Sequence, residues 1–144
     1  MAADASGQPP IPDGFEQVAR APFVNHVGPI LQAIDDPPGE VRLGIWVAPV
    51  HTNTLGLMHG GMISTVIDSA MARALISKLH RRSVTLKMSV EFLEAVKLGD
   101  WVVATGRLDS HDGKVGFTSC EVRVGDALKV RASGVFRLLK PISA

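Results

Sequence analysis

The most regular pattern along the chain is the alternation of apolar and polar residues in SVTLKMSVEF, residues 83–92. Every second residue there is apolar, which is the period of a β-strand that buries one face. The apolar set consists of Val84, Leu86, Met88, Val90 and Phe92. We predict a half-buried strand with these side chains on its inner face.

A different pattern precedes this strand, between Met62 and Leu79. The stretch contains no Pro or Gly, is apolar on nearly every side, and is longer than a normal strand. We therefore predict a helix that other elements of the fold surround. The first half of this helix carries one charge, Asp68, and two glycines, Gly60 and Gly61, stand directly before it.

The remaining segments predict an antiparallel sheet. Apolar runs with β-branched residues predict strands at 41–50, 101–109, 114–124 and 128–139. Turn signals separate the last three runs, and the Asp-Gly pair in HDGK, residues 111–114, is a strong hairpin signal. The sequence thus predicts an α+β fold in which an antiparallel meander wraps one central helix.

The N-terminal part of the chain is less regular. Residues 1–14 are small, polar and rich in Pro and Gly, so we predict a flexible arm followed by a single domain over residues 15–144. The segment FEQVARA, residues 15–21, predicts a short helix before Pro22. VGPILQAI, residues 27–34, is more typical of an extended segment.

Composition narrows the class of protein. The 144 residues are 46% hydrophobic and 20% charged, which is typical of a globular domain. A formal net charge of +1 gives no electrostatic reason to expect nucleic acid or a membrane surface as a partner. One cysteine, Cys120, cannot form an internal disulfide, and neither a signal peptide nor a spanning segment is recognisable. We expect a soluble cytoplasmic protein.

The glycine pair suggests a site for an oxyanion. The first N–H groups of a helix have no partner within it and lie at the positive end of its dipole. Because Gly60 and Gly61 lack side chains, a ligand oxygen can approach those amides closely. Such donors stabilise the charge that develops during acyl transfer. The alternative is that the pair only turns the chain into the helix.

Asp68 suggests the second half of such a site. A carboxylate in an apolar helix costs free energy unless it is hydrogen-bonded or used chemically. Together with the glycines, it supplies the base or nucleophile that ester or thioester hydrolysis needs. The alternative is a structural aspartate that faces solvent or forms a hydrogen bond.

The spacing of the two features imposes a condition. Eight residues of helix span about 12 Å, whereas a catalytic group must come within about 3 Å of its target or act through one water. Gly60 and Asp68 of one chain therefore do not easily reach the same carbonyl carbon. A symmetric dimer with the helices side by side removes the difficulty, because each active site is then shared by two chains.

These residues resemble the motif of the hotdog-fold thioesterases, in particular their PaaI-like branch. The branch pattern is Asn, Gly, His-Gly-Gly and a helical Asp. The resemblance also includes a Thr on a strand and a Gly-Lys turn, and as a whole it covers roughly residues 22–139. The matching residues are Asn53, Gly56, His59, Gly60, Gly61, Asp68, Thr85, Gly113 and Lys114. The resemblance implies the hotdog fold, an antiparallel sheet wrapped around a long helix.

The resemblance also implies an activity and an assembly. It implies an acyl-CoA thioesterase that acts as a homodimer, usually paired into a tetramer, with coenzyme A as part of the substrate and no separate cofactor. The Gly60 or Gly61 amide would polarise the thioester carbonyl, and Asp68 would act as general base or as nucleophile. Thr85 would hold the attacking water, while Asn53 and His59 would orient the loop and the substrate. His59 as general base is the less favoured option.

The residues that bind CoA are less well defined. Relatives often have a basic residue and a proline where this chain has Glu94 and Ala95. The nearby cationic candidates for such a contact are Arg81, Arg82 and Lys114, and the alternative is that they are solvated loop charges. Stacking on adenine would fall to an aromatic residue, and the candidates are Phe92, Phe117 and Trp101.

Other interpretations stay open at this point. A non-catalytic acyl-CoA-binding module would keep the glycines without needing Asp68. A hotdog hydratase or dehydratase would also pair an acid with a histidine, but at other positions. His51 and His59 lack a third ligand at a suitable spacing, so no metal is expected. The acyl group is aromatic or of medium chain length, and the sequence does not rank the two.

Overall fold

The computed structural model describes residues 3, 5, 7–18 and 21–142. A seven-stranded antiparallel sheet wraps one long helix, as predicted. Within the described part of the chain, no helix is long and apolar enough to cross a membrane. The elements are β1 (Phe15–Gln17), α1 (Pro22–Val27), β2 (Leu31–Ala33), β3 (Glu40–Trp46), α2 (Gly60–Leu79), β4 (Arg81–Phe92), β5 (Trp101–His111), β6 (Val115–Val124) and β7 (Ala127–Pro141), with a 3₁₀ turn at Pro49–His51.

The strand order is β1-β2-β3-β5-β6-β7-β4. Strands β5, β6 and β7 form the predicted meander, and its turns lie where the sequence placed them. β4 lies next to β7 at the edge of the sheet, from Arg81 opposite Pro141 to Phe92 opposite Val130. The strand that directly follows the helix, β4, is therefore not part of the meander. Strand pairing of this kind depends on contacts that are distant in sequence.

The prediction of a helix at residues 15–21 is wrong for the described residues 15–18 and 21, while residues 19 and 20 lie outside the described part. Phe15–Gln17 forms β1, which pairs with β2, and the short helix α1 instead begins at Pro22. Proline suits the first position of a helix, because the N–H that it lacks would have no helical partner there. The Trp46 indole donates to the Pro10 carbonyl at 2.9 Å, so this part of the arm contacts the sheet. The flexible arm and the single-domain boundaries stay predictions, and residues 1, 2, 4 and 6 lie outside the described part.

Helix α2 packs very closely on the sheet. A Cβ at Gly106 of β5 would lie 2.4 Å from both the carbonyl carbon and the carbonyl oxygen of Ala70. Met71 and Leu75 of the helix are fully buried in the same core, together with Phe136 of β7. Because Gly106 has no side chain, the helix backbone contacts the sheet directly. This contact sets the distance between α2 and the strands.

One side of α2 is less enclosed than predicted. Ser64, Thr65, Asp68 and Ala72 are only half-buried, while the opposite side of the helix lies in the core. The hydrophobic pattern indicated how apolar the helix is, but it did not show that the sheet covers only part of its circumference. This half-buried stripe contains Asp68, the helical aspartate of the predicted site.

Strand β4 departs from its predicted alternation. The register with β7 shifts between Thr85 and Lys87, which marks a β-bulge. Met88 and Val90 pack against the core as predicted, but Val84 and Leu86 are 52% and 59% exposed. A bulge inserts one residue, so side chains on its two sides exchange faces. The sequence pattern alone did not reveal this exchange.

We expect Gly106→Ala to destabilise the protein, because the new Cβ meets helix backbone that cannot rotate away. Overpacking of this kind costs about 1–3 kcal/mol, or roughly 3–10 °C in Tm. Gly116→Ala is the matched control, since its Cβ would meet side-chain atoms and no backbone, with Leu75 Cδ2 at 2.6 Å and Leu138 Cδ2 at 3.6 Å. Thermal unfolding at one protein concentration measures both. An equal or smaller loss for Gly106→Ala would show that the close approach is not required.

Candidate active site

The side chain of His59, the residue directly before α2, caps the first turn of the helix. Nδ1 of His59 accepts a hydrogen bond from the Gly61 amide at 2.8 Å. A Cβ on Gly61 would lie 3.0 Å from that nitrogen, so glycine leaves room for the ring. Because Nδ1 acts as acceptor, the proton of the neutral ring is on the exposed Nε2. The Gly61 amide is therefore already used, and Nδ1 is not free to act as a base.

The Gly60 amide is in a different position. The His59 carbonyl accepts from the amides of Met62 and Ile63, at 2.9 and 3.0 Å, so this carbonyl points into the helix. In a trans peptide the N–H points opposite to the C=O, and the Gly60 N–H therefore points out of the helix end. This amide has no hydrogen-bond partner among the described residues. Of the two glycines, Gly60 is the one that offers a donor.

A groove of about 340 Å³ opens beside Gly60. The Phe92 ring forms one wall, and its Cζ would lie 3.3 Å from a Cβ at Gly60. Among the described residues that line it, Glu94 carries the only charge and pairs with Lys129 at 3.0 Å. The lining residues are Asn53, Leu57, Met58, Gly60, Ile63, Phe92, Leu93, Glu94, Ala95 and Val96. The groove is thus mainly apolar.

The loop before the helix is organised by Asn53. Its side-chain Oδ1 accepts from the backbone amides of Leu55 and Leu57, at 2.9 and 3.2 Å, and its backbone N–H donates to the Leu57 carbonyl at 2.8 Å. Gly56 completes the turn with a φ of +73°, a conformation that glycine adopts without strain. Asn53 therefore holds the loop closed and also lines the groove.

The carboxylate of Asp68 is held by strand β4. The Thr85 hydroxyl donates to Asp68 Oδ1 at 2.5 Å. Asp68 is half-buried on the third turn of α2, and the bulge in β4 places Thr85 on the face of the strand that meets the helix. The structure thus brings together these two residues, which are 17 positions apart in the chain.

Gly60 and Asp68 lie on one unbroken helix. Eight residues of helix separate them by about 12 Å, so the open amide and the carboxylate of one chain do not meet at a single carbonyl group. In the described chain, the open amide and the carboxylate that the sequence predicts for one site therefore lie at two different places.

The predicted CoA-binding residues separate into two groups. Arg81 donates from Nε to the Leu139 carbonyl at 2.6 Å and from Nη1 to the Gly113 carbonyl at 2.7 Å. The start of β4 therefore lies against the Gly113–Lys114 turn, and the exposed Arg82 is adjacent. Phe92 lies at the opposite end of β4, about 36 Å away at ~3.3 Å per residue. In this chain Phe92 faces Gly60 and not the basic end.

The other two aromatic candidates also lie elsewhere. Trp101 packs on Trp46 and Phe15, with ring centroids 4.9 and 5.2 Å apart, in a cluster on the sheet. Phe117 lies on β6 and is 45% exposed. Sequence reasoning missed the apolar groove residues Leu57 and Ile63, because hydrophobicity was their only signal.

The remaining reactive groups are possible metal ligands and the single thiol. In the described ranges, no three His, Cys, Asp or Glu side chains lie close enough together to hold a metal ion, and the lack of a metal stays a prediction. Cys120 is buried, and burial raises the pKa of its thiol to about 12. A thiol in this state is not a nucleophile near neutral pH.

Comparisons with known proteins agree with this fold. Human acyl-coenzyme A thioesterase 13 is 29% identical over 98 residues, which are 67% of this chain and 70% of the human protein. A mutant of the phenylacetic acid degradation protein PaaI from Thermus thermophilus superposes with a TM-score of 0.75 at 23% identity, over 83% of this chain and all of that chain. These likenesses confirm the predicted hotdog fold.

A further solved structure carries a ligand. The smu.793 protein from Streptococcus mutans, which was crystallised with acetyl CoA, superposes with a TM-score of 0.72 at 23% identity. The match covers 76% of this chain and 89% of that chain. In addition, the family model of the thioesterase superfamily matches residues 55–130, more than half of the chain. The chain therefore belongs to the thioesterase superfamily.

Proposed function

We propose that this protein hydrolyses acyl-CoA thioesters to a free acid and coenzyme A. One observation carries the proposal: an open helix N-terminal amide at Gly60 beside an apolar groove, on the same helix as the Asp68 carboxylate that Thr85 holds. Membership of the thioesterase superfamily supports it, as does the similarity to a named acyl-coenzyme A thioesterase.

The proposed reaction is an attack of water on the thioester carbonyl. Asp68 takes a proton from the water while the new C–O bond forms, and Thr85 holds the carboxylate in place. The Gly60 N–H donates to the oxyanion of the tetrahedral intermediate. The C–S bond then breaks, and the CoA thiolate leaves and takes up the proton that Asp68 removed from the water. Direct attack by the Asp68 carboxylate, which gives an acyl anhydride that water then hydrolyses, is the alternative route.

The site is complete only in a dimer. β4 is the last strand of the sheet, and its apolar residues Val84 and Leu86 are exposed on either side of Thr85. An exposed, apolar edge strand is a template for pairing with another chain. Pairing of two β4 strands about a two-fold axis would extend the sheet and bring the two α2 helices side by side. Asp68 of the partner subunit would then approach Gly60. A dimer of dimers stays a prediction from the resemblance.

The two groups of predicted binding residues fit the two ends of the substrate. The apolar groove beside Gly60 suits an aromatic or medium-chain acyl group. Arg81 and Arg82 lie about 13 and about 10 Å along β4 from Thr85, at ~3.3 Å per residue, and Lys114 follows Gly113, which accepts from Arg81. Cations suit the phosphates of CoA. We therefore assign the acyl group to the groove of one subunit and the CoA phosphates to the basic end of its partner.

The competing functions make different demands on Asp68. A binding module without catalysis does not require the contact between Asp68 and Thr85, whereas hydrolysis does. A hydratase requires a histidine beside the acid, but His59 Nδ1 is occupied by the Gly61 amide. Thiol release from a panel of acyl-CoAs separates the three, because only hydrolysis releases CoA continuously.

We expect Asp68→Asn to lower kcat by about 10²-fold or more with little change in KM, because the amide keeps the size but loses the basicity. Thr85→Val should lower kcat by roughly 10-fold, while Thr85→Ser, which keeps the hydroxyl, should stay near wild type. Absorbance of released thiol measures all three. Full turnover by Asp68→Asn would contradict the role of the carboxylate.

Mixed dimers test whether the site is shared. Asp68→Asn and Gly60→Val subunits are each expected to be inactive alone, since the new side chain at residue 60 also meets the Phe92 ring. In a random mixture, half of the dimers are mixed and each has one intact site, so about a quarter of wild-type activity should return. If both halves of the site came from one chain, mixing would restore nothing.

Acyl specificity tests the assignment of the groove. Phe92→Ala should raise kcat/KM for longer acyl chains relative to short ones by about 10-fold, because removal of the ring lengthens the groove beside Gly60. Phe23→Ala, at an exposed phenylalanine on α1, is the control and should leave this ratio unchanged. A series of straight-chain and aromatic acyl-CoAs measures the ratio. Uniform changes across the series would argue against the assignment.

A further inference from the structure

His51 is an unusual residue in this structure. Among the described residues, His51 and Thr118 are the two polar side chains that are buried, at 3% and 2% exposure. Burial of a polar group costs free energy unless its hydrogen bonds are made. Thr118 meets this condition inside the core, where its hydroxyl donates to the Gly134 carbonyl at 3.0 Å. His51 lies instead at the end of the 3₁₀ turn that leads into the loop before α2.

Both ring nitrogens of His51 are used. The Ala48 amide donates to Nδ1 at 2.9 Å, and Nε2 lies 2.5 Å from the Val27 carbonyl. An amide only donates and a carbonyl only accepts, so the ring is neutral with its proton on Nε2. The imidazole therefore joins the end of helix α1 to the turn at Pro49–His51.

The backbone of His51 reaches the site directly. Its carbonyl accepts from the His59 amide at 2.8 Å. The loop between them is closed by a bridge that pairs Thr52 with Met58. His51 and His59 therefore form the base of this loop, and the peptide after His59 is the one that carries the Gly60 N–H.

Helix α1, whose Val27 carbonyl contacts the His51 ring, is itself anchored to the core. Val24 and Val27 of α1 pack against the hydrophobic core. The contacts therefore run from the core through the Val27 carbonyl to the His51 ring, and from the His51 carbonyl to the His59 amide. Each step is a hydrogen bond or a packed side chain.

We propose that His51 is a positioning residue that sets the direction of the Gly60 N–H, an inference that rests on the proposed function. A donor stabilises an oxyanion only when it lies about 3 Å from the place where the charge develops. Loss of the ring contacts frees the base of the loop and misdirects this donor. Because the donor acts mainly in the transition state, kcat falls while KM changes little.

Four variants test this role. His51→Gln keeps a donor for the Val27 carbonyl, His51→Asn keeps an acceptor for the Ala48 amide, and His51→Leu keeps neither. We expect kcat to fall by at least about 10-fold in His51→Leu and by less in His51→Gln and His51→Asn. In all three variants KM should stay within about 2-fold of wild type. Thr118→Val is the control, because it removes a buried hydroxyl far from the loop and should lower Tm without lowering kcat.

A second measurement is independent of turnover. In protein labelled with ¹⁵N-glycine, the Gly60 amide resonance, assigned by its loss in Gly60→Ala, should shift in each His51 variant and stay unchanged in Thr118→Val. If wild type releases no thiol, the proposed function fails while this measurement still tests the positioning. Full kcat in His51→Leu, or an unshifted Gly60 resonance, would overturn the role of His51. If His51→Leu fails to fold, the kcat values of His51→Gln and His51→Asn and their Gly60 resonances decide whether His51 has this role.

Discussion

The close approach of helix α2 to the sheet is the constraint on which the other features depend. Gly106 has no side chain under Ala70, so the helix backbone lies directly against β5. At this short distance between helix and sheet, the start of α2 faces the end of β4 near Phe92, while the third turn of α2 faces Thr85. One packing contact thus fixes where both the open amide and the carboxylate meet the sheet.

The two ends of the proposed site use different physical effects. At Gly60, peptide planarity turns the N–H outward once the His59 carbonyl is engaged in the helix. At Asp68, a hydroxyl from a neighbouring strand holds a half-buried carboxylate that the helix itself does not satisfy. The His59 side chain removes the second glycine amide from the site by accepting its hydrogen bond. Residues that look equivalent in the motif therefore have different roles.

The bulge in β4 links the fold to the site. Without the inserted residue, Thr85 would face away from the helix whenever Met88 and Val90 face the core. With it, the same strand provides a core face, a hydroxyl for Asp68 and an exposed apolar edge beside Thr85. Bulges commonly redirect side chains next to functional sites. Here the bulge makes one edge strand serve both the carboxylate and the surface that we assign to the partner subunit.

The sequence by itself determined the central helix, most strands, the hairpin turns, and the residue types of the site, because local periodicity and turn chemistry depend on neighbouring residues. Only the tertiary structure decided that β4 pairs with β7, that residues 15–17 form a strand, and that Thr85 faces Asp68. It also decided which glycine amide stays open and that His51 joins α1 to the loop. These features depend on contacts between segments far apart in the chain, and such contacts leave no period in the sequence.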